Sequence, residues 1–365
     1  MKNILIVVPD DRLGGAEQFL KNISFFHLEA KNKVYVVFLK KRMSGHWEDL
    51  NELGEVKFYF SNSETELSGL RTSFLNLLKL RGNVFDYVYT SHLHITSFVG
   101  FLIRLGVIKK KHFIGRESTT IFHRFKGKQL FFFKMLYLLG YPKVDLLVSQ
   151  TELMKRQLLE GLPWIEQKIK VKVIPNPINL KAIRNIRLSE FSVYQKEFIV
   201  SAGRLIPEKG YDILINSFND IAEEYPELDL LILGEGHKRQ ELEEQIMSLG
   251  LENRVILKGH VENVYDFFWQ ARLCVVSSRV EGFPNVLLQM MSQNNRVVST
   301  KCAGGIEKLD GVICINKNDE SAMKLGLIEA LESNLQNNKF IFEEQLENRS
   351  LERFQTKIEE FVEIG

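Results

Sequence analysis

Cysteine is scarce in this chain, three in 365 residues. Cys274, Cys302 and Cys314 sit in apolar, strand-like runs with no C-x-x-C spacing. That excludes a disulfide framework and a thiolate zinc site, and predicts reduced core residues of a cytosolic protein. No run approaches about 18 uncharged apolar residues, so no segment is predicted to span a bilayer. The apolar stretch ILIVV after Lys2 is too short for a signal-peptide core. A D-x-D at a strand end, which would hold a divalent metal, is missing. Gly234-Glu235-Gly236 lacks the third glycine of G-x-G-x-x-G, which argues against a nicotinamide fold. There is no internal repeat and no low-complexity tract.

What is present is enough apolar material, 45% of the chain, for two cores, and a length that fits two domains. The net charge of +2 conceals a split. Residues 1–172 hold 27 Lys and Arg against 16 Asp and Glu, whereas residues 173–365 hold 21 against 30. The first half alone is therefore expected to face something anionic, although an excess of solvated lysines reads the same way.

Apolar strand-like runs alternate with helical patterns throughout. In the second half the strand candidates are residues 198–204, 229–236, 254–260, 273–278, 296–300 and 311–316. In the first half they are 3–9, 33–39, 56–60, 85–91, 111–117, 145–150 and 170–176, with a helix from about Ala16 to Lys31. Such alternation predicts α/β architecture with parallel sheets covered on both faces, doubly wound by right-handed crossovers. Two Rossmann-like domains follow, 1–176 and 177–349, with residues 177–196 as their connection. The charged, amphipathic tail supplies a last helix at about 350–365. Ligands of such sheets bind beyond the strand C-termini.

The most informative segment is Ser277–Thr300, a strand end, tight loop, helix and strand. Pro284 can open the helix because it needs no N–H there. Asn285 and Gln289 then lie one turn apart on one face, with Glu281 just before them. One carboxylate and two amides can converge on a small polar ligand, and a helix start favours phosphate. A buried loop whose Glu caps a helix would give the same string. Arg204 and Lys209, in GRLIPEKG after a strand, pair a planar fork with a flexible ammonium and can neutralise a diphosphate. Gly14-Gly15-Ala16-Glu17 opens the first helix and lets backbone approach a ligand. His92 ends the strand FDYVYTSH, where an imidazole can meet a sugar hydroxyl or a phosphate. With no carboxylate nearby, His92 and His94 are read as a poor zinc site.

Spacing and residue types resemble the Glu-x7-Glu motif of the retaining GT-B glycosyltransferases, family 4 (glycosyl transferases group 1), with Glu281 first and Gln289 in place of the second Glu. The resemblance implies a GT-B fold, two Rossmann-like domains facing a central cleft, with the last helix returning to the first domain. It implies that Glu281 contacts the transferred sugar and Gln289 the ribose, as an uncharged acceptor. Gly282, Phe283, Pro284, Asn285 and Val286 complete that loop. Arg204 and Lys209 match the family's G-R-L-x-x-x-K-G residues that hold the donor diphosphate. Gly234-Glu235-Gly236 with Arg239 resembles its G-x-G-x-x-R segment, and Gly259-His260-Val261 the segment whose backbone reads the nucleobase. Gly14 and Gly15 match its N-terminal Gly-Gly loop, and His92 a histidine close to the transferred sugar. Arg116, after a strand, is expected to touch the acceptor.

Residues Arg104–Lys143 carry ten cations against Glu117 alone, interleaved with aromatics. QLFFFKMLYLLGY suggests a strongly apolar helix beside a basic loop, which suits an anionic membrane surface, or equally a helix buried in its domain. No nucleic-acid module is visible. The expectation is a retaining, metal-independent, cofactor-free hexosyltransferase. Its donor is a nucleotide-diphosphate sugar, UDP-linked on family frequency, and its acceptor a lipid-linked saccharide or oligosaccharide. The setting expected is O-antigen or capsule biosynthesis, peripheral on the inner face of a bacterial cytoplasmic membrane. A catalytically inactive GT-B module that binds a nucleotide sugar or a partner protein is the alternative, motivated by Gln289.

Overall fold

The computed structural model describes all residues except 119–120, 187 and 364–365. The side chains of His123 and Arg124 also lie outside the described set, so Arg124 of the basic stretch and Arg187 of the expected connection receive no structural account. The chain divides into two compact units, Met1–Pro177 with Leu351–Gly365, and Ile178–Ser350.

The first unit begins β1 (Asn3–Val8), α1 (Gly15–Glu29), β2 (Lys33–Phe38), β3 (Val56–Phe60), α2 (Glu66–Lys79), β4 (Val84–Thr90) and α3 (Leu93–Arg104). It continues β5 (Lys109–Arg116), α4 (Ile121–Arg124), α5 (Gly127–Gly140), β6 (Leu146–Ser149), α6 (Glu152–Gly161), α7 (Trp164–Lys168) and β7 (Lys170–Val173). The seven strands form one sheet in the order β3-β2-β1-β4-β5-β6-β7, with every pair parallel. Strand alternation explains why both faces are covered: Leu5 and Val7 feed one hydrophobic cluster, Ile4, Ile6 and Val8 the other.

The second unit runs α8 (Leu180–Arg184), β8 (Glu197–Ala202), α9 (Tyr211–Asn219), β9 (Leu228–Leu233), α10 (Arg239–Ser248), β10 (Val255–Gly259) and α11 (Val264–Gln270). Then come β11 (Leu273–Val276), α12 (Asn285–Met291), β12 (Val297–Thr300), β13 (Ile313–Ile315), α13 (Glu320–Glu332) and α14 (Asn338–Glu347). Its six strands are ordered β10-β9-β8-β11-β12-β13, again all parallel. Phe198 and Val200 face one cluster and Ile199 the other, the same alternation.

The charged tail, expected to supply a last helix at about 350–365, spans the end of α14 and a separate final helix. α14 ends at Glu347, Ile178 and Ser350 form a parallel bridge, and α15 (Leu351–Glu363) follows. α15 packs in the first unit: Phe354 meets Phe19 edge-on at 5.4 Å, and the Tyr89 hydroxyl donates to Gln355 at 2.8 Å.

Strand order reverses between β1 and β4 in the first unit and between β8 and β11 in the second. At such a reversal the two neighbouring crossover helices lie on opposite faces, and the loops part to leave a crevice beyond the strand ends.

Candidate active site

At the second unit's reversal, the loop after β8 carries Arg204 and Lys209, and the loop after β11 carries Glu281. Lys209 Nζ donates to Glu281 Oε1 at 2.5 Å, and Ser278 Oγ donates to the same oxygen at 3.0 Å. Oε2 of Glu281 is left without a protein partner among the described residues. The sequence reading placed Lys209 on phosphate and Glu281 on sugar. The structure ties them to each other, 72 positions apart in sequence. Both side chains are about four-fifths buried, at 17% and 20% exposure, so the pair is screened far less than a surface ion pair.

The pair depends on a close backbone approach. Gly210 has φ +63°, and a Cβ there would lie 2.4 Å from the Ser277 carbonyl oxygen. Ser277 Oγ donates to the Lys209 carbonyl at 2.8 Å, and the Arg279 N–H to Glu208 at 2.7 Å. Three local features therefore fasten the β8 loop to the β11 loop. Arg204, by contrast, is exposed, and its side chain makes no hydrogen bond or ion pair among the described residues. It offers a whole guanidinium fork to an anion.

α12 begins at Asn285, after Pro284 in extended conformation, and runs only seven residues, so its dipole is small. Gln289 sits on it, and its amide N–H donates to the Tyr265 hydroxyl at 3.0 Å, which leaves its carbonyl oxygen to accept. Phe283 and Pro284 are buried. The Arg349 guanidinium lies 4.8 Å from the Phe283 ring centroid, and burial lowers its pKa to about 10. Gly282 and Val286 are half-buried, as is Val261, which packs against the same core as Phe283. Arg239 is engaged by Glu235 at 2.7 Å and Glu243 at 2.9 Å, a local ion-pair set rather than a free cation. A cavity of about 240 Å³ lies elsewhere, between the α9 start, α10 and Arg279, and is lined by none of Arg204, Lys209 and Glu281.

At the first unit's reversal, Nε2 of His92 is 3.2 Å from Oε1 of Glu17, in the first turn of α1. His94 Nε2 is 2.7 Å from Oε2 of Glu66, in the first turn of α2. These contacts correct the expectation that no carboxylate lies near either histidine: the parallel sheet brings two helix starts to the end of β4. His94, with Lys40, holds the Glu66 carboxyl down at about 2. Gly15 opens α1, with Gly14 before it. A Cβ on Gly14 would meet Glu17 Oε2 at 2.5 Å, so the absent side chain makes room for that carboxylate.

Arg116 is turned inward, not toward an acceptor. It is 4% exposed, donates to Asn176 Oδ1 and Ser91 Oγ, and lies 4.4 Å from the Phe19 ring centroid. The strand end that was expected to present it instead buries it against α1. Glu17, Ser278, Tyr265 and Arg349 carried no separate signal as site residues. Glu17, Tyr265 and Arg349 meet partners distant in sequence, and Ser278 meets Glu281 three residues on. Among the described residues no three His, Cys, Asp or Glu gather as metal ligands, and no helix is long and apolar enough to cross a membrane.

Residues 183–346 match the family described as glycosyl transferases group 1. An uncharacterized glycosyltransferase of Methanocaldococcus jannaschii is 30% identical over 47% of this chain, which spans 43% of that protein. N-acetylgalactosamine-N,N'-diacetylbacillosaminyl-diphospho-undecaprenol 4-alpha-N-acetylgalactosaminyltransferase of Campylobacter jejuni is 27% identical over 87% of each chain. Among solved structures, Anabaena HepE in complex with UDP-glucose superposes with a TM-score of 0.80 at 17% identity, covering 100% of both chains. The lipopolysaccharide outer core galactosyltransferase WaaB superposes at 0.69, with 16% identity and 99% of both chains covered. These structural likenesses carry the fold, two Rossmann-like domains of GT-B type. In fold, and in sequence over residues 183–346, the chain is similar to the group 1 glycosyltransferases.

Proposed function

We propose that this protein transfers a sugar from a nucleotide-diphosphate sugar, UDP-linked, to a lipid-linked saccharide, with retention at the anomeric carbon and without a metal ion. One observation carries the reading. An unpaired arginine, a lysine and a half-satisfied carboxylate stand at the strand-order reversal of the second unit. Arg204 and Lys209 neutralise the charge that grows on the leaving diphosphate. Oε2 of Glu281 accepts from a hydroxyl of the transferred sugar, and the Gln289 carbonyl from the ribose. The sugar develops oxocarbenium character, the acceptor attacks from the leaving-group face, and the departing phosphate takes the acceptor's proton. His92, held by Glu17, contacts the transferred sugar.

The diphospho-undecaprenol named for the Campylobacter relative supports a lipid-diphosphate acceptor, and the UDP-glucose complex of HepE supports a uridine donor. O-antigen or capsule assembly at the inner face of a bacterial cytoplasmic membrane is the setting that fits such an acceptor. The test is a screen of UDP- and GDP-sugars for thermal stabilisation and for hydrolysis. Stabilisation by a UDP-sugar, lost in Arg204→Ala, supports the reading. Absence of any response refutes it.

The second reading, an inactive module that binds a nucleotide sugar or a partner, is favoured by Gln289, whose amide is already held by Tyr265. Stabilisation by a sugar nucleotide with no hydrolysis and no transfer would select it.

A further inference from the structure

We propose that the outward face of α5 docks on an anionic phospholipid surface. Phe131, Phe132, Met135, Leu138 and Leu139 are exposed at 67%, 59%, 47%, 47% and 43%. At about 100° per residue these positions fall in a single stripe roughly 120° wide, and Lys128 falls on the same stripe one turn earlier. Tyr137 and Gly140 point the other way and are buried.

The stripe cannot be hidden by rolling the helix. Gly140 crosses Gly100 of α3 so closely that a Cβ on Gly100 would lie 2.1 Å from the Gly140 carbonyl oxygen. Ser97 Oγ donates to the Leu136 carbonyl at 2.8 Å. The Tyr137 and Tyr141 hydroxyls donate to Glu117 at 2.7 and 3.1 Å, and Glu117 is 6% exposed. Helix α5 is thus pinned on its inner face, and five large apolar side chains are left in water on its outer face. A contiguous patch of this kind calls for an occupant.

Charge identifies the occupant. Residues 118–144 contain Lys126, Lys128, Lys134 and Lys143 and no acidic residue. A second copy of this chain laid on the stripe by two-fold symmetry would set these lysines against one another. An anionic bilayer accepts both features. Phenyl and aliphatic groups enter the headgroup boundary while lysine stems reach the phosphates. The inference deepens the reading of a lipid-linked acceptor and rests on it for its purpose, though not for its geometry.

The experiment is co-sedimentation of the full chain with phosphatidylcholine vesicles, with and without phosphatidylglycerol, at low and high salt. Wild type is expected to bind the phosphatidylglycerol vesicles and to be released by salt. Phe131→Ser with Phe132→Ser is expected to weaken binding at least tenfold, and Lys128→Glu with Lys134→Glu to abolish the preference for the anionic lipid. Phe340→Ser, at a 71% exposed site on α14, is expected to change nothing. Each variant's thermal melt reports whether it folds. Vesicle binding that survives both double changes, or that wild type lacks, overturns the proposal. So does a lipid-free dimer that the Phe131 and Phe132 changes dissolve, or capture by an acidic protein without lipid. Thermal stabilisation by UDP-glucose separates the two readings. If the docking variants keep it, only docking has been touched. If wild type lacks it, the transferase reading falls while the vesicle result stands.

Discussion

Nε2 of His92 and Oε1 of Glu17 stand 3.2 Å apart, although 75 positions separate them in the chain. Glu17 therefore fixes the orientation of an imidazole at the end of β4, and the other ring nitrogen, Nδ1, has no partner among the described residues. His92→Ala is expected to lower sugar transfer by about 10²-fold, and Glu17→Ala by less. The double variant is expected to fall no further than His92→Ala alone, since one residue acts through the other. Gly14→Ala should reproduce part of the Glu17 loss by displacing its carboxylate. Additive losses in a turnover assay would break the link.

Arg204→Ala and Lys209→Ala are each expected to cost about 10²-fold or more in turnover, the scale of losing a preorganised donor to developing charge. Their effects on stability should differ. Arg204 is exposed and unpaired, so its removal leaves the melting temperature in place. Removing Lys209 strands Glu281 without its cation and lowers it. Near-normal transfer by both variants, measured as release of nucleoside diphosphate, would defeat the assignment.

Gly210→Ala is expected to destabilise and to weaken donor binding together, because φ +63° and the nearby Ser277 carbonyl penalise the same Cβ. A thermal melt with and without UDP-sugar reads both. An unchanged melt would mean that the β8 and β11 loops are not held as described.

Gln289→Glu restores a carboxylate one helix turn after Asn285. It replaces the amide donor to the Tyr265 hydroxyl with an acceptor for it and adds charge toward a ribose, so donor affinity is expected to rise about tenfold or less. Equal affinity of the two forms would show that this position does not meet the donor.

Two buried groups give stability opposite pH dependences. Burial, aided by Lys2, lowers the His27 pKa to about 3. Below pH 6.5 the unfolded chain takes up a proton that folded His27 refuses, so stability falls as pH drops toward 3. Burial raises the Glu117 pKa to about 7, against the pull of Tyr137 and Tyr141. Folded Glu117 keeps a proton that the unfolded chain releases above the ordinary value of 4.5, so stability falls as pH rises from there to about 7. Melting temperatures from pH 4 to 8 should flatten on the acid side in His27→Gln and on the neutral side in Glu117→Gln. Unchanged slopes would exclude these two groups as the cause.

The strands were legible because each is a short apolar run whose two faces are both buried, as Leu5 and Ile6 in adjacent clusters illustrate. Arg204, Lys209 and Glu281 were legible as loop residues after strands. Their mutual arrangement was not. It depends on Gly210 meeting Ser277, a contact that no local spacing encodes. Arg116 misled for a related reason: a strand end fixes where a residue sits, but the surrounding helices decide whether its side chain faces water or, as here, Phe19 and Asn176. The last helix was legible at about 350–365 from its charged, amphipathic pattern, and the bridge from Ser350 to Ile178 interrupts the tail between it and α14.

That interruption governs how the polypeptide can be cut. Ile178–Ser350 is one uninterrupted stretch and can be excised whole, whereas the other unit is assembled from both ends of the chain. A fragment stopping at Pro177 would forfeit α15 and lay bare Phe19 and the Tyr89 hydroxyl, which Phe354 and Gln355 cover. Expression of the front half is therefore expected to yield insoluble material unless residues 351–365 are supplied through a short linker, while the excised middle segment should remain soluble.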